Sequence, residues 1–174
     1  MNKLKQKLKK IKLLVVDVDG VLTDGTIALD STGHEFKNFN AHDGAGLKLL
    51  GKTGVKLAII SGRHSKCTDF RSLEIGIDDV YQGIENKTES LDELIEKYSL
   101  TLDEIAYMGD DLFDLPVLNK VGFSCAPADA VEDVRKRVLY VCSKQGGKGA
   151  VREVTELIIK AQDNWEKVLE LFNE

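Results

Sequence analysis

Short apolar runs alternate along the chain with segments whose apolar residues recur every three or four positions. Residues 13–18, 56–60, 80–81, 105–108, 122–126 and 139–142 read as strands. The first is apolar at neighbouring positions, the pattern of a strand buried on both faces. Residues 44–52, 65–73, 87–98 and 150–161 carry helical spacing, and another helix is expected from the end of strand 105–108 through Leu118. Strands alternating with helices predict a parallel sheet covered on both sides, with right-handed crossovers. The expected fold is α/β: a Rossmann-like, three-layer α/β/α arrangement around a central parallel sheet.

Three segments depart from that rhythm. Residues 25–40 place Thr26, Ile27 and Leu29 before Ser31-Thr32-Gly33, then Phe36 and Phe39, the pattern of a β-hairpin inserted after the first strand. Leu4, Leu8 and Ile11 mark one face of a short lysine-rich helix, which is expected to lie solvated on the domain. The tail, 163–174, carries Trp165, Val168, Leu169, Leu171 and Phe172, too apolar to leave in water, and is expected to dock on a neighbouring subunit. No repeat, linker or large cap domain interrupts the 174 residues, so one domain is expected over 1–174.

A net charge of −5 argues against nucleic acid as the main partner, because phosphate backbones select basic faces. No apolar run approaches the ~20 residues of a membrane span, and no signal-like core follows the N-terminal lysines. Cys67, Cys125 and Cys142 are scattered and odd in number, as for free thiols in a cytoplasmic protein.

The chemistry gathers at strand ends. Ligands of an open parallel sheet sit beyond the carboxyl ends of its strands. There the chain places Asp17-Val18-Asp19-Gly20, Ser61-Gly62-Arg63, Lys87 at a helix start, and Gly109-Asp110-Asp111 with Asp114. Each alone is an ordinary cap or turn. Together they bring several carboxylates into one crevice, where they raise one another's pKa unless a hard cation intervenes. Oxygen ligands, few of them from protein, suit Mg²⁺ with retained waters. Ser61, Gly62 and Lys87 suit phosphoryl oxygens. One carboxylate can attack phosphorus, and a second, two residues on, can give and take a proton.

At these residues the sequence resembles the haloacid dehalogenase superfamily, most closely its 3-deoxy-D-manno-octulosonate 8-phosphate (KDO 8-phosphate) phosphatase subgroup. The resemblance rests on Asp17 through Gly25 (DVDGVLTDG), Ser61, Lys87, and Gly109-Asp110-Asp111 with Asp114. It extends to Phe39-Asn40, Asp43-Gly44-Ala45-Gly46, Gln82-Gly83 and Gly146-Gly147-Lys148-Gly149. It implies Asp17 as nucleophile and Asp19 as general acid and base. Asp17, the Asp19 carbonyl and Asp110 would hold Mg²⁺, supported from the edge by Asp111 and Asp114. Ser61, Gly62 and Lys87 would bind phosphate, and Arg63, Arg71, His42 and Asp43 the sugar acid. The subgroup's members are homotetramers that act in lipopolysaccharide precursor synthesis. His42 stands where they often carry Arg or Lys, which keeps a nonulosonate 9-phosphate open as the substrate. A non-catalytic oligomerisation domain would have lost some of these residues, whereas this chain has all of them.

Overall fold

All four side chains of Leu13–Val16 are buried, as a strand with packed layers on both faces requires. The computed structural model describes residues 3–77 and 79–173. In chain order it contains α1 (Lys3–Lys10), β1 (Leu13–Val16), β2 (Ala28–Leu29), β3 (Glu35–Phe36), α2 (Ala41–Lys52), β4 (Lys56–Ile60), α3 (Lys66–Ile75) and β5 (Asp79–Tyr81). There follow α4 (Lys87–Tyr98), β6 (Ile105–Met108), α5 (Leu115–Leu118), β7 (Phe123–Ala126), α6 (Glu132–Arg135), β8 (Tyr140–Val141), α7 (Ala150–Ala161) and α8 (Trp165–Glu170).

Six strands form one parallel sheet in the order β5-β4-β1-β6-β7-β8. Strand β1 lies between β4 and β6, with Leu14 beside Leu57 and Ala106. Side chains alternate across a strand, so β1 feeds two cores. Leu14 and Val16 pack with Leu47 and Leu50 of α2 and Val154 and Ile158 of α7. Leu13 and Val15 pack with Leu91 and Leu94 of α4 and Val117 of α5. This is the expected three-layer α/β/α fold, and among the described residues no large cap covers the sheet. Among the described residues no helix is long and apolar enough to cross a membrane.

The hairpin also forms, with Ala28 opposite Phe36 and Leu29 opposite Glu35. Its turn is closed by Asp30 Oδ1, which accepts hydrogen bonds from the Thr32 and His34 amides, each at 2.8 Å. Its strands are only two residues long, because no further strand extends the pair and Leu29 and Phe36 remain exposed.

Other boundaries moved for local reasons. Helix α2 starts three residues before the expected 44, where Asn40 Oδ1 accepts from the His42 amide at 2.8 Å and caps the first turn. The helix expected to run through Leu118 is split into a 3₁₀ turn, Leu112–Asp114, and the single turn of α5, because Asp114 spends its side chain on the amides behind it. Helix α6 was not expected. Helix α1 lies on the domain as expected, with Leu8 buried and Lys9 paired to Asp163 at 2.8 Å. In the tail, Val168 is buried in the chain's own core and Lys160 stacks over the Trp165 ring at 4.4 Å. These two residues are thus accommodated within the chain, while Leu171 and Phe172 stay exposed.

Candidate active site

A cavity of about 720 Å³ opens over the carboxyl ends of β1, β4 and β6. Its walls include Asp17, Asp19, Ser61, Gly62, Arg63, Lys87, Asp110, Asp111 and Asp114. Nine expected site residues from four separate segments therefore share one crevice.

Asp114 organises its floor. It is 1% exposed and accepts four hydrogen bonds. Oδ1 takes Lys87 Nζ at 2.7 Å and the Tyr107 hydroxyl at 2.6 Å. Oδ2 takes the amides of Asp110 at 3.0 Å and Asp111 at 3.2 Å. Asp111 in turn caps the 3₁₀ turn, accepting from the Leu112 amide at 2.6 Å. Lys87 also stands 3.1 Å from Asp17 Oδ1, which ties the exits of β1 and β6 to the start of α4. Burial works against the Lys87 charge, but Asp17 and then Asp114 outweigh it and its pKa is raised.

The loop after β1 is pressed into this floor by close backbone contact. Gly20 has φ +84°, and a Cβ there would collide with the Asp110 carboxylate. From the other side, a Cβ on Gly146 would lie 2.6 Å from the Gly20 carbonyl carbon. The Gly147 amide donates to Val21 O at 2.9 Å. The glycine-rich loop before α7 is thus a brace for the Asp17–Asp19 loop.

The donor set fits a hard divalent cation. Ligand oxygens of Asp17, Asp110 and Asp114 lie within 4.8 Å of one another. Oδ1 of Asp17 and Oδ1 of Asp110 are shut off from water and accept no well-formed hydrogen bond. Asp114 is different, since both of its oxygens are already engaged, so it orients the ligands instead of adding one. Desolvation, then Asp114, pushes the Asp17 pKa up to about 7, against Lys87. Desolvation, then Asp17, Asp114 and Asp111, pushes Asp110 up to about 8. Buried carboxylates that resist ionisation and are short of hydrogen bonds are what a cation relieves.

The pH dependence follows in sign. Both carboxyl groups titrate higher in the fold than in the unfolded chain, so the stability held by their neutral forms is complete below about pH 4. It is lost as pH rises through about 7 to 8. Mg²⁺ should offset that loss, and protons should compete with it. We expect the rise in melting temperature on adding Mg²⁺ to be small at pH 5.5, to grow through pH 7 and to level above pH 8. A rise independent of pH in scanning calorimetry would contradict this.

The structure brings in three residues that sequence reasoning missed. Lys37 on the hairpin is ion-paired to Asp19. Glu35 meets Arg63 Nη2 at 2.7 Å. Both flank Phe36 at alternate positions, so the period of the hairpin strand places them on one face, a signal open to a closer reading. Tyr107, fully buried on β6, was hidden in an apolar run.

Three expected contacts stand apart from the crevice walls. Arg71 is held by Glu74 at 2.6 Å and by Asn40 O at 3.2 Å, above the Phe39 ring. Asp43 is buried and fastens the start of α7, accepting from the Gly149 amide at 3.2 Å and the Arg152 amide at 2.7 Å. His42 is exposed on α2.

Comparison with known proteins extends this picture. The model of the haloacid dehalogenase-like hydrolase family matches residues 66–154. The 3-deoxy-D-manno-octulosonate 8-phosphate phosphatase KdsC of Escherichia coli K12 is 44% identical over 156 residues, 90% of this chain and 83% of that protein. The crystal structure of the Moraxella catarrhalis 3-deoxy-D-manno-octulosonate 8-phosphate phosphatase, in complex with magnesium ion, phosphate ion and KDO, superposes with a TM-score of 0.96 at 44% identity, covering 99% of both chains. A probable YrbI family phosphatase from Pseudomonas syringae gives a TM-score of 0.96 at 45% identity, covering 98% of this chain and 97% of that one.

Proposed function

The chain belongs to the haloacid dehalogenase-like hydrolase family, and from that premise we propose that it hydrolyses 3-deoxy-D-manno-octulosonate 8-phosphate to the free sugar acid and phosphate, in lipopolysaccharide precursor synthesis. The observation that carries the substrate is the nearly end-to-end likeness to phosphatases of that ester. The crevice supplies the means.

Asp17 attacks phosphorus and forms an aspartyl-phosphate, while Asp19 gives its proton to the departing alkoxide. Asp19 then takes a proton from the water that attacks the aspartyl-phosphate, and inorganic phosphate leaves with Asp17 restored. Lys87, oriented by Asp114, and Ser61 with the Gly62 backbone hold the phosphoryl oxygens. Asp17, Asp110 and the Asp19 carbonyl would hold Mg²⁺, which would supply positive charge to offset that of the phosphoryl group. Arg63, 43% exposed at the rim, meets the sugar-acid carboxylate with a planar fork. Arg71, His42 and Asp43 lie outside the crevice walls of the single chain, so we assign them no contact with the phosphoryl group.

We place the protein in the cytoplasm, supported by three free cysteines. We read it as a homotetramer, a state supported by the exposed apolar side chains of the hairpin and of α3, among them Leu29, Phe36, Phe70 and Leu73.

The test is phosphate release with Mg²⁺ from KDO 8-phosphate beside a panel of sugar phosphates that includes a nine-carbon acid 9-phosphate. We expect kcat/KM for KDO 8-phosphate to exceed that for the nine-carbon acid by at least about tenfold, the size of one well-placed polar discrimination. Equal rates across the panel would remove the substrate assignment and leave the chemistry.

A further inference from the structure

The hairpin does more than stand over the site. Lys37 is a lysine whose side chain is only 2% exposed, an unusual place for an ammonium group. It is paired to Asp19 Oδ1, and it lies 3.4 Å from Glu35 Oε1. Glu35 meets Arg63 Nη2 at 2.7 Å, and Arg63 Nη1 reaches Asp19 Oδ2 at 3.4 Å. Four charges of alternating sign thus close a ring around the Asp19 carboxylate. Two of them come from the hairpin, one from the β1 exit and one from the β4 exit. Among the described residues only Lys37 is both buried and bound to the Asp19 side chain, while Arg63, 43% exposed, reaches Asp19 at the longer distance of 3.4 Å.

We propose that Lys37 is a positioning residue that holds the Asp19 carboxylate where it can exchange a proton with the leaving oxygen and then with water. This rests on the reading of Asp19 as the general acid and base. The hairpin then completes the proton-transfer apparatus and is not merely a wall of the cavity. In the first step the P–O bond breaks as the Asp17–phosphorus bond forms, and the Asp19 proton ends on the leaving oxygen. In the second, a water proton ends on Asp19 as its oxygen bonds to phosphorus and the Asp17–phosphate bond breaks. Lys37 exchanges no proton in either step.

The two steps respond differently to the leaving group, which separates positioning from general support of the fold. p-Nitrophenolate departs without a proton, so only the second step needs Asp19 with that ester, whereas both steps need it with a sugar phosphate. Wild type, Lys37→Met, Lys37→Arg and Asp19→Asn would be compared by rapid quench with KDO 8-phosphate and p-nitrophenyl phosphate, all with Mg²⁺. For Lys37→Met we expect kcat on the sugar phosphate to fall about 100-fold with KM within about threefold, the scale of a misplaced acid–base group. With p-nitrophenyl phosphate we expect a burst of one p-nitrophenol per active site and an accumulated phosphoenzyme. Lys37→Arg, which keeps the charge, should regain at least about tenfold of the lost rate.

Wild-type kcat for Lys37→Met on both esters beside an inactive Asp19→Asn removes the proposal alone. Equal losses on both esters without a burst also overturn it, because they mark a general structural role. Near-wild-type turnover of Asp19→Asn removes the reading of Asp19 and the proposal with it. Should the apolar side chain prevent folding, Lys37→Gln is read by the same criteria.

Discussion

Asp17→Asn should abolish turnover and yet melt at a higher temperature than wild type when Mg²⁺ is withheld at pH 8. The loss of activity is expected to be at least about 10⁴-fold, because an amide cannot form the aspartyl-phosphate and the remaining groups only bind and polarise the ester. The gain in stability comes from the same carboxylate. Asp17 sits where burial and Asp114 push its pKa up to about 7, so holding it ionised at pH 8 costs the fold. Asparagine has the same shape and no charge. Removing the cost is worth a few kcal/mol at most, and in a domain of this size each kcal/mol moves the melting temperature by about 2–4 °C. Saturating Mg²⁺ should reverse the order, since only wild type then has both carboxylates to bind it. Phosphate release and calorimetry with EDTA or Mg²⁺ check the two halves. Activity near wild type would sink the nucleophile assignment, and a lower melting temperature in EDTA would sink the electrostatic account of the site.

Asp114→Ala should be the most destabilising single change among the site residues. It strips Lys87 of its 2.7 Å partner, the Tyr107 hydroxyl of its acceptor and the Asp110 and Asp111 amides of theirs. Breaking a buried ion pair from one side costs about 3–5 kcal/mol, which lowers the melting temperature by about 6–20 °C in a domain of this size. Activity should fall with it, because Asp110 and Lys87 lose the group that aligns them. Asp114→Asn separates charge from shape. Its single carbonyl oxygen can serve the amides or the lysine, not both, and its NH₂ then faces donors, so a loss close to that of alanine is expected. An asparagine variant as stable as wild type would mean that the charge of Asp114 is not what holds Lys87.

Much of this was readable in one dimension. The strand–helix alternation implied the parallel sheet, and a parallel sheet obliges its ligands to the carboxyl edge. Asp17 and Ser61 directly follow apolar strands, Asp110 comes one glycine after the next, and Lys87 opens the helix beyond Val80-Tyr81, so their convergence needed only the topology. Arg71, His42 and Asp43 were expected at the sugar acid from the family resemblance, but a match in one dimension does not say which way a helical side chain points. Arg71 turned to Glu74 and Asn40, and Asp43 to the start of α7. Asp114 looked like a residue at the edge of the metal site, and it proved to be the buried hub, since four donors from three segments meet on it.

By itself, then, the sequence determined the fold class, the edge of the sheet that carries the chemistry and the residues gathered there. Local periodicity and the position of polar groups after apolar strands are properties of the chain alone. Only the tertiary structure decided which carboxylate oxygens are short of hydrogen bonds and which are already spent, and that Lys37 comes from the hairpin to Asp19. Those outcomes depend on competition among donors and acceptors from distant segments. That competition is settled only when burial removes water as the alternative partner.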